Sequence, residues 1–188
     1  LGAFAVQHSV MARPWFKARW TRIVPEPLER STYVLLSSIL LLATFVLWQP
    51  LGGQVWLVTQ EPWRTLLYVL MGAGWALVLY STFLINHLDL FGLRQVWLHV
   101  RSRRYTHLPF KTPSLYRFVR HPLYIGWFTT FWATPNMSAA HLLFAVVCTL
   151  YMLAATRWEE RDLVELHGHA YTDYRRRVPK FFPAMGRA

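Results

Sequence analysis

Five apolar stretches separated by polar residues dominate the hydrophobic pattern of the chain. They lie at residues 1–11, 33–48, 66–85, 123–134 and 139–156. The second, third and fifth contain no Asp, Glu, Lys or Arg. A membrane-spanning helix needs about 20 mainly apolar residues, and the second and third stretches reach that length with their flanks. The pattern therefore predicts an all-α fold, an integral-membrane helical bundle of about five spans.

The shorter stretches need a separate interpretation. Residues 1–11 follow no basic segment, so we read them as the end of a first span and not as a signal peptide. The chain begins with Leu1 instead of Met, so we expect the start of that span to be missing. Only residues 135–138 separate the last two stretches, which predicts a tight helical hairpin. In the third stretch, Gly72 and Gly74 would let neighbouring membrane helices approach closely.

The composition and the charge support a membrane protein. Hydrophobic residues make up 54% of the 188 residues and charged residues 15%, whereas a soluble domain has about 25% charged residues. The net charge of +11 would also suit a nucleic-acid-binding protein. However, the basic residues fall in blocks between the apolar stretches and match no nucleic-acid-binding motif, so we expect no nucleic-acid partner.

The basic blocks also predict the topology. Residues 13–30 hold five basic and two acidic residues, and residues 87–120 hold seven basic residues and one acidic residue. Residues 49–64 hold one of each, and residues 135–138 hold none. This alternation follows the positive-inside rule. It places the two basic loops and the Arg-rich C-terminal segment, which we expect to form a cap, on the cytoplasmic side.

The chain shows no internal boundary and no pattern of metal ligands. No linker divides it, so residues 1–188 are predicted to form one domain. The single cysteine, Cys148, excludes an internal disulfide and a multi-cysteine metal site. The eight histidines form no HExxH motif, and we expect no bound metal.

The most specific motif is RHPLYIG, residues 120–126. Pro122 suits the first turn of a helix, where its missing N–H is not needed. The N-terminus of a helix favours an anion such as a carboxylate; His121 adds a donor and Arg120 a bidentate carboxylate ligand. The motif is equally explained, taken alone, by a capped helix with charges at the membrane interface.

A pair of acidic residues, Glu159 and Glu160, follows the last apolar stretch. Adjacent helical side chains point about 100° apart, so one carboxylate could face a pocket and the other solvent. A carboxylate at a membrane boundary is unfavourable unless it is paired. It could bind ribose hydroxyls, an amino group or a sulfonium, or it could form salt bridges along its own helix.

These motifs occur in order with GxxYxxY at residues 168–174 and VPxxxP at residues 178–183. Together they resemble the isoprenylcysteine carboxyl methyltransferase and phospholipid methyltransferase superfamily, whose members are integral-membrane enzymes that use S-adenosylmethionine. Upstream, QHSVMAR (residues 7–13), ERSTY (29–33) and DLFGLRQ (89–95) resemble the NnrU-like branch, which includes the bacterial methanethiol S-methyltransferases and is distantly similar to nurim.

The resemblance implies S-adenosylmethionine-dependent methylation of a small thiol, methanethiol to dimethyl sulfide, at the cytoplasmic face of a bacterial inner membrane. Membrane lipid would be the other partner. Two alternatives stay open: methylation of a prenylcysteine carboxylate or a lipid amine, and a non-catalytic membrane protein of the NnrU or nurim kind. The sequence does not predict the oligomeric state.

The resemblance also implies the cofactor site, with a cofactor-binding core at about residues 87–183. The cofactor-binding candidates in the two C-terminal motifs are Arg120, His121, Pro122, Tyr124, Gly126, Glu159 and Glu160. Three residues of the preceding basic loop are further candidates: Arg94, Gln95 and His107. Arg94 and Gln95 could instead hold the substrate or orient Asp89.

The thiol must become a thiolate, because the thiolate is the nucleophile. Three residues are candidates for the catalytic base or its partner: His8, His87 and Asp89. His8 lies in an apolar stretch, where an ionisable residue suggests function, although it could simply form a hydrogen bond between helices. His87 and Asp89 could instead cap a helix. The sequence does not rank the three.

Overall fold

Helices form most of the computed structural model, which describes residues 1–183. The helices are α1 (Gly2–Met11), α2 (Pro14–Trp20), α3 (Glu26–Val46), α4 (Trp63–Ile85), α5 (His87–Leu90), α6 (Leu93–Val100), α7 (Pro122–Trp132), α8 (Ala139–His167) and α9 (His169–Arg177). A 3₁₀ turn covers Ser114–Arg117. Two short strands, β1 (Gln54–Leu57) and β2 (Asn136–Ser138), pair in antiparallel fashion.

Three of these helices, α3, α4 and α8, are long and apolar enough to cross a membrane. The prediction of an integral-membrane helical bundle is therefore supported. The other two predicted spans correspond to α1 and α7, which have 10 and 11 residues. At about 1.5 Å per residue such helices are shorter than the hydrocarbon core, so the count of five spans stays a prediction.

Contacts within the chain group its residues into two units. The first unit comprises Leu1–Pro50 and Asn86–Leu108, and the second comprises Leu51–Ile85 and the chain from Pro109 onward. The prediction of a single domain is not tested by this grouping, and each unit is described by itself below.

In the first unit, α1 and α6 both pack against α3. Gly92 precedes α6 with a φ of 78°, in the left-handed region that favours glycine. A Cβ at this position would lie 2.6 Å from the backbone nitrogen of Ser31. The glycine therefore allows the start of α6 to lie directly against α3.

In the second unit, α7 packs along α4 through two glycines. A Cβ on Gly74 would lie 2.9 Å from the carbonyl oxygen of Gly126, and a Cβ on Gly126 would lie 2.9 Å from that of Gly74. The predicted close approach at Gly74 is thus confirmed. The same prediction for Gly72 is wrong, because no atom of residues 1–183 lies within 4 Å of a Cβ there: Gly72 is on the other side of the helix.

The segment between α7 and α8 contains β2, which the sequence pattern did not predict. β2 pairs with β1, and Trp56 Nε1 donates a hydrogen bond to the carbonyl of Thr134 (2.9 Å). Met137 is fully buried. Ser138 then caps α8 by accepting from the backbone N–H of His141 (3.1 Å). Segments of three and four residues are too short for an alternating pattern to be recognised.

Helix α8 has 29 residues, about 43 Å at the usual rise of 1.5 Å per residue. It is longer than the hydrocarbon core of a membrane, about 30 Å. The apolar stretch at its start is therefore followed, on the same rigid helix, by the polar turns that carry Glu159 and Glu160.

Candidate functional site

The start of α7 positions His121. Pro122 occupies the first turn of the helix and is fully buried, as expected of a residue that needs no hydrogen-bond acceptor there. His121 is the N-cap residue and is only 4% exposed. Its imidazole is consequently held inside the second unit, where it faces the polar turns of α8.

One carboxylate oxygen binds three donors at this point. Oε1 of Glu160 accepts from Nε of Arg120 (2.9 Å) and lies 2.9 Å from its Nη2 and 3.0 Å from Nε2 of His121. The side chains of Arg120 and Glu160 are both 11% exposed. A charge this deeply buried is stable only when it is paired. Arg120 thus provides the neutralising charge and His121 a further hydrogen bond.

The second carboxylate, Glu159, lies on the other side of the same imidazole. Its Oε2 accepts from the hydroxyl of Tyr124 (2.7 Å) and lies 3.9 Å from Nδ1 of His121. Its side chain is 45% exposed. Two adjacent residues of α8 therefore both reach His121, one buried and one open to solvent.

The C-terminal segment is fastened over this cluster. Nη1 of Arg120 donates to the carbonyls of Arg175 (2.9 Å) and Val178 (2.6 Å). The backbone N–H groups of Arg120 and His121 donate to the carbonyls of Pro179 (2.9 Å) and Lys180 (3.2 Å). We call residues 175–181 the tail strap. Its last ring, Phe181, lies 5.8 Å from the ring of His121.

Three tyrosines surround the cluster, and sequence reasoning assigned them no role. Burial raises the pKa of Tyr116 and of Tyr171, and it raises the pKa of Tyr174 to about 12. Tyr174 donates a hydrogen bond to the carbonyl of Tyr116 (2.6 Å). The GxxYxxY motif contained two of them, and only its spacing on α9 indicated that both face the same side.

The structure thus brings five of the seven C-terminal candidates together: Arg120, His121, Tyr124, Glu159 and Glu160. The other two contribute through the backbone. Pro122 begins α7, and Gly126 lies against Gly74 of α4.

The remaining cofactor candidates lie in the first unit. Arg94 Nη1 donates to Oδ1 of Asp89 (2.9 Å) and to the carbonyl of Thr106 (3.0 Å). Gln95 donates to the carbonyl of Asp89 at 3.4 Å. The ring of His107 packs edge-on against Tyr105 (5.2 Å). In this unit Arg94 and Gln95 therefore both contact Asp89, and their role in cofactor or substrate binding stays a prediction.

The three candidates for thiol activation also lie in the first unit. The hydroxyl of Tyr33 lies 2.9 Å from Nδ1 and 3.0 Å from Nε2 of His8. Ser37 lies 3.4 Å from the same imidazole. The ring of His87 packs at 4.7 Å against that of Phe91.

The third candidate, Asp89, is paired on both oxygens. Oδ1 accepts from Arg94, and Oδ2 accepts from the hydroxyl of Tyr105 at 3.5 Å. Its backbone N–H donates to the side chain of Asn86 (3.0 Å), which caps α5. The alternative that His87 and Asp89 cap a helix is therefore wrong: Asn86 caps α5, and both residues lie within that helix.

These features define a class: integral-membrane helical proteins with a buried, charge-paired polar cluster at the end of a spanning helix. Comparison with known proteins is more specific. The chain is 55% identical over 187 residues to methanethiol S-methyltransferase of Crocosphaera subtropica, covering all of this chain and 73% of the relative. It is 53% identical to that of Mycobacterium tuberculosis, covering 97% of this chain and 75% of the relative.

The chain belongs to the methanethiol S-methyltransferase family. Nurim of Rattus norvegicus is more distant, with 33% identity over 169 residues, which are 85% of this chain and 64% of nurim. The resemblance inferred from the motifs is thus confirmed. No protein-family model matches the chain, and no solved structure gives a significant match.

Proposed function

We propose that the protein transfers a methyl group from S-adenosylmethionine to methanethiol and releases dimethyl sulfide. The observation that carries this proposal is the cluster of Arg120, His121, Glu159 and Glu160, held together by side-chain contacts of 2.9–3.9 Å, in a chain that is 55% identical to a relative named methanethiol S-methyltransferase.

The donor set of the cluster fits this cofactor. S-adenosylmethionine carries an ammonium and a sulfonium, so its binding site should be acidic. Oε1 of Glu160 is already bound by three donors. Its Oε2 has no hydrogen-bond partner in the described part of the chain. The same holds, within residues 1–183, for Oε1 of Glu159. These two carboxylate oxygens would be available to the cationic groups of the cofactor, because the other oxygen of each carboxylate is held by protein donors.

Each residue of the cluster then has a role. Glu159 and Glu160 bind the cationic groups of the cofactor, and His121 holds both carboxylates in place. Arg120 uses its donors on Glu160 and the tail strap, so we assign it to positioning. The backbone N–H groups in the first turn of α7 would bind the cofactor's carboxylate, because the first N–H groups of a helix have no partner within the helix. The bound cofactor supplies an activated methyl group.

For the thiol we propose His8 as the base. Tyr33 and Ser37 orient its imidazole. Asp89 is a weaker candidate because Arg94 and Tyr105 already occupy its carboxylate. His8 would accept the proton of the thiol, because the thiolate is the nucleophile; the cofactor would supply the methyl group and leave as S-adenosylhomocysteine.

The topology completes the proposal. The basic loops and the tail strap lie on the cytoplasmic side, as the positive-inside rule requires, in the inner membrane of a bacterium. Single-cysteine labelling in spheroplasts tests this orientation: Ser102→Cys should resist a membrane-impermeant maleimide, whereas Gln60→Cys should react.

Two measurements test the activity. S-adenosylhomocysteine should bind the detergent-purified protein in calorimetry, and His121→Ala should weaken that binding. Headspace gas chromatography should detect dimethyl sulfide when methanethiol and S-adenosylmethionine are supplied. Cofactor binding without dimethyl sulfide would reject methanethiol as the substrate.

The 33% identity to nurim favours one second candidate, a membrane protein without catalysis. The calorimetry separates the two. A folded protein that binds no S-adenosylhomocysteine would support the non-catalytic function.

A further inference from the structure

A cleft of about 620 Å³ lies in the second unit, between residues 110–117 and α9. Its walls carry three cationic side chains, Lys111, Arg117 and Arg177. Phe110 and Tyr174 form an aromatic part of the same wall. None of the four residues assigned to the cofactor's charged groups or to the positioning of Glu160 lines this cleft.

The cations in the cleft form no ion pair with the described part of the chain. Within residues 1–183, no carboxylate lies within ion-pair distance of Lys111, Arg117 or Arg177. One acidic residue, Asp173, lines the cleft, and it is 3.8 Å from Arg176.

The two arginines keep their terminal nitrogens for another ligand. Arg117 donates from Nε to the carbonyl of Thr112 (3.4 Å), and Arg177 donates from Nε to that of Asp173 (3.3 Å). Each of these bonds uses Nε and leaves the two terminal nitrogens, Nη1 and Nη2, of the guanidinium. The paired N–H groups of a guanidinium match the geometry of phosphate oxygens.

One contact links the cleft to the end of a candidate span. The hydroxyl of Tyr80, near the end of the spanning helix α4, lies 3.1 Å from that of Ser114. The ring of Phe110 packs at 5.2 Å against His167, the last residue of the polar turns of α8. The cleft therefore adjoins the end of α4, where lipid headgroups lie, and the polar end of α8.

We propose that this cleft binds a phosphate group, carried either by the headgroup of an anionic phospholipid or by a soluble phosphate. Three cations that lack an ion pair within residues 1–183 provide the charge for it, and the aromatic wall provides an apolar surface beside it. The cofactor is disfavoured as the occupant, because its net positive charge would be repelled by the same cations. This proposal goes beyond methyl transfer and does not depend on it.

Occupation of the cleft would also act on the tail strap. Val178 lines the cleft, and its carbonyl accepts from Arg120. A phosphate that bridges Arg177 to Lys111 would fix the end of α9 where the strap begins. We therefore expect the bound anion to tighten the strap over the cluster.

The test uses the full chain in neutral detergent. Native mass spectrometry measures retention of phosphatidylglycerol against phosphatidylcholine, and thermal unfolding measures stabilisation by inorganic phosphate. The variants are Lys111→Gln, Arg117→Gln and Arg177→Gln, and Arg176→Gln is the matched control because it removes the same charge from α9 outside the cleft. A melting temperature close to that of the parent protein in the absence of phosphate shows that a variant is folded.

Each cleft variant should weaken retention of phosphatidylglycerol about fivefold, the usual effect of one cation near an anionic surface. The control should retain it. Loss of phosphate stabilisation in the same variants, without selective lipid retention, supports the soluble source. Cleft variants that bind both probes like the parent protein, an equal loss in Arg176→Gln, or displacement of the probe by S-adenosylhomocysteine would each overturn the proposal.

Discussion

Nε2 of His121 lies 3.0 Å from Oε1 of Glu160, although 39 positions separate the two residues. The contact joins the first turn of α7 to the polar end of α8. The same oxygen accepts from Arg120, so the buried carboxylate is ionised and the imidazole donates to it. Within residues 1–183 this arrangement leaves the other oxygen of Glu160 without a hydrogen-bond partner, and the first two predictions concern the contacts of this cluster.

The two glutamates should respond differently to neutralisation. Glu160→Gln leaves Arg120 buried without its counter-charge, which costs about 3 kcal/mol of stability, and it should weaken cofactor binding as well. Glu159→Gln, whose side chain is 45% exposed, should weaken cofactor binding about tenfold with little loss of stability. Thermal unfolding and calorimetry with S-adenosylhomocysteine measure both. Equal loss of stability in the two variants would contradict the assignment.

Arg120→Lys should loosen the tail strap. A lysine keeps the charge next to Glu160, but it cannot reach that carboxylate and two backbone carbonyls at once. Hydrogen exchange of a peptide covering residues 175–183 should therefore accelerate, and cofactor binding should weaken. Arg161→Lys is the control, since Arg161 is exposed and pairs with Glu165 of its own helix (3.1 Å). Unchanged exchange in Arg120→Lys would show that the strap is held by other contacts.

The contact between α4 and α7 predicts an asymmetric pair of glycine variants. Gly74→Ala places a Cβ 2.9 Å from the carbonyl oxygen of Gly126, and such overpacking costs about 1–3 kcal/mol. Gly72→Ala meets nothing within 4 Å and should stabilise α4 by up to about 1 kcal/mol. Thermal unfolding in detergent compares them, and similar melting temperatures for the two would refute this packing.

The buried tyrosines predict a loss of stability in base. Burial raises the pKa of Tyr174 to about 12 in the folded protein, whereas an unfolded tyrosine ionises near pH 10. Below pH 10 the phenol is neutral in both states. Above pH 10 the phenol of the unfolded chain loses its proton first, which favours the unfolded state. The free energy of unfolding should therefore fall between about pH 10 and about pH 12. Absorbance at 295 nm should show a delayed phenolate signal.

The matched variant for this titration is Tyr174→Phe. It should remove one of the late phenolates and flatten the dependence of stability on pH. It also removes the hydrogen bond to Tyr116, so its stability at neutral pH should be lower than that of the parent protein. A phenolate signal complete by pH 10.5 would be incompatible with three buried phenols.

His8→Asn tests the proposed base. Loss of a general base lowers kcat by about 10²–10⁴-fold, and the loss should shrink as pH rises because the thiol then ionises unaided. Tyr33→Phe should give a smaller decrease, since Tyr33 only orients the imidazole. Affinity for S-adenosylhomocysteine should not change in either variant. Full dimethyl sulfide production by His8→Asn would eliminate His8 and leave His87 and Asp89 as candidates.

The candidate site was partly predictable from local patterns. The Pro residue at the start of a helix and the Glu–Glu pair after an apolar stretch are each visible within a few residues, so Pro122, Glu159 and Glu160 could be selected. The residues that pair with Arg120 could not be predicted in this way. The sequence suggested that Arg120 binds the carboxylate of a ligand, whereas in the structure it donates to Glu160 and to two carbonyls of the tail strap.

The sequence by itself determined that this is a helical membrane protein of a thiol methyltransferase family, because length, hydropathy and motif order are properties of consecutive residues. Only the tertiary structure decided that β1 pairs with β2, that Gly74 and not Gly72 meets α7, and that the cationic side chains of Lys111, Arg117 and Arg177 share one cleft. Each of these three features depends on which side of a helix or strand faces a neighbour that is distant in sequence. Packing over the whole unit determines that orientation.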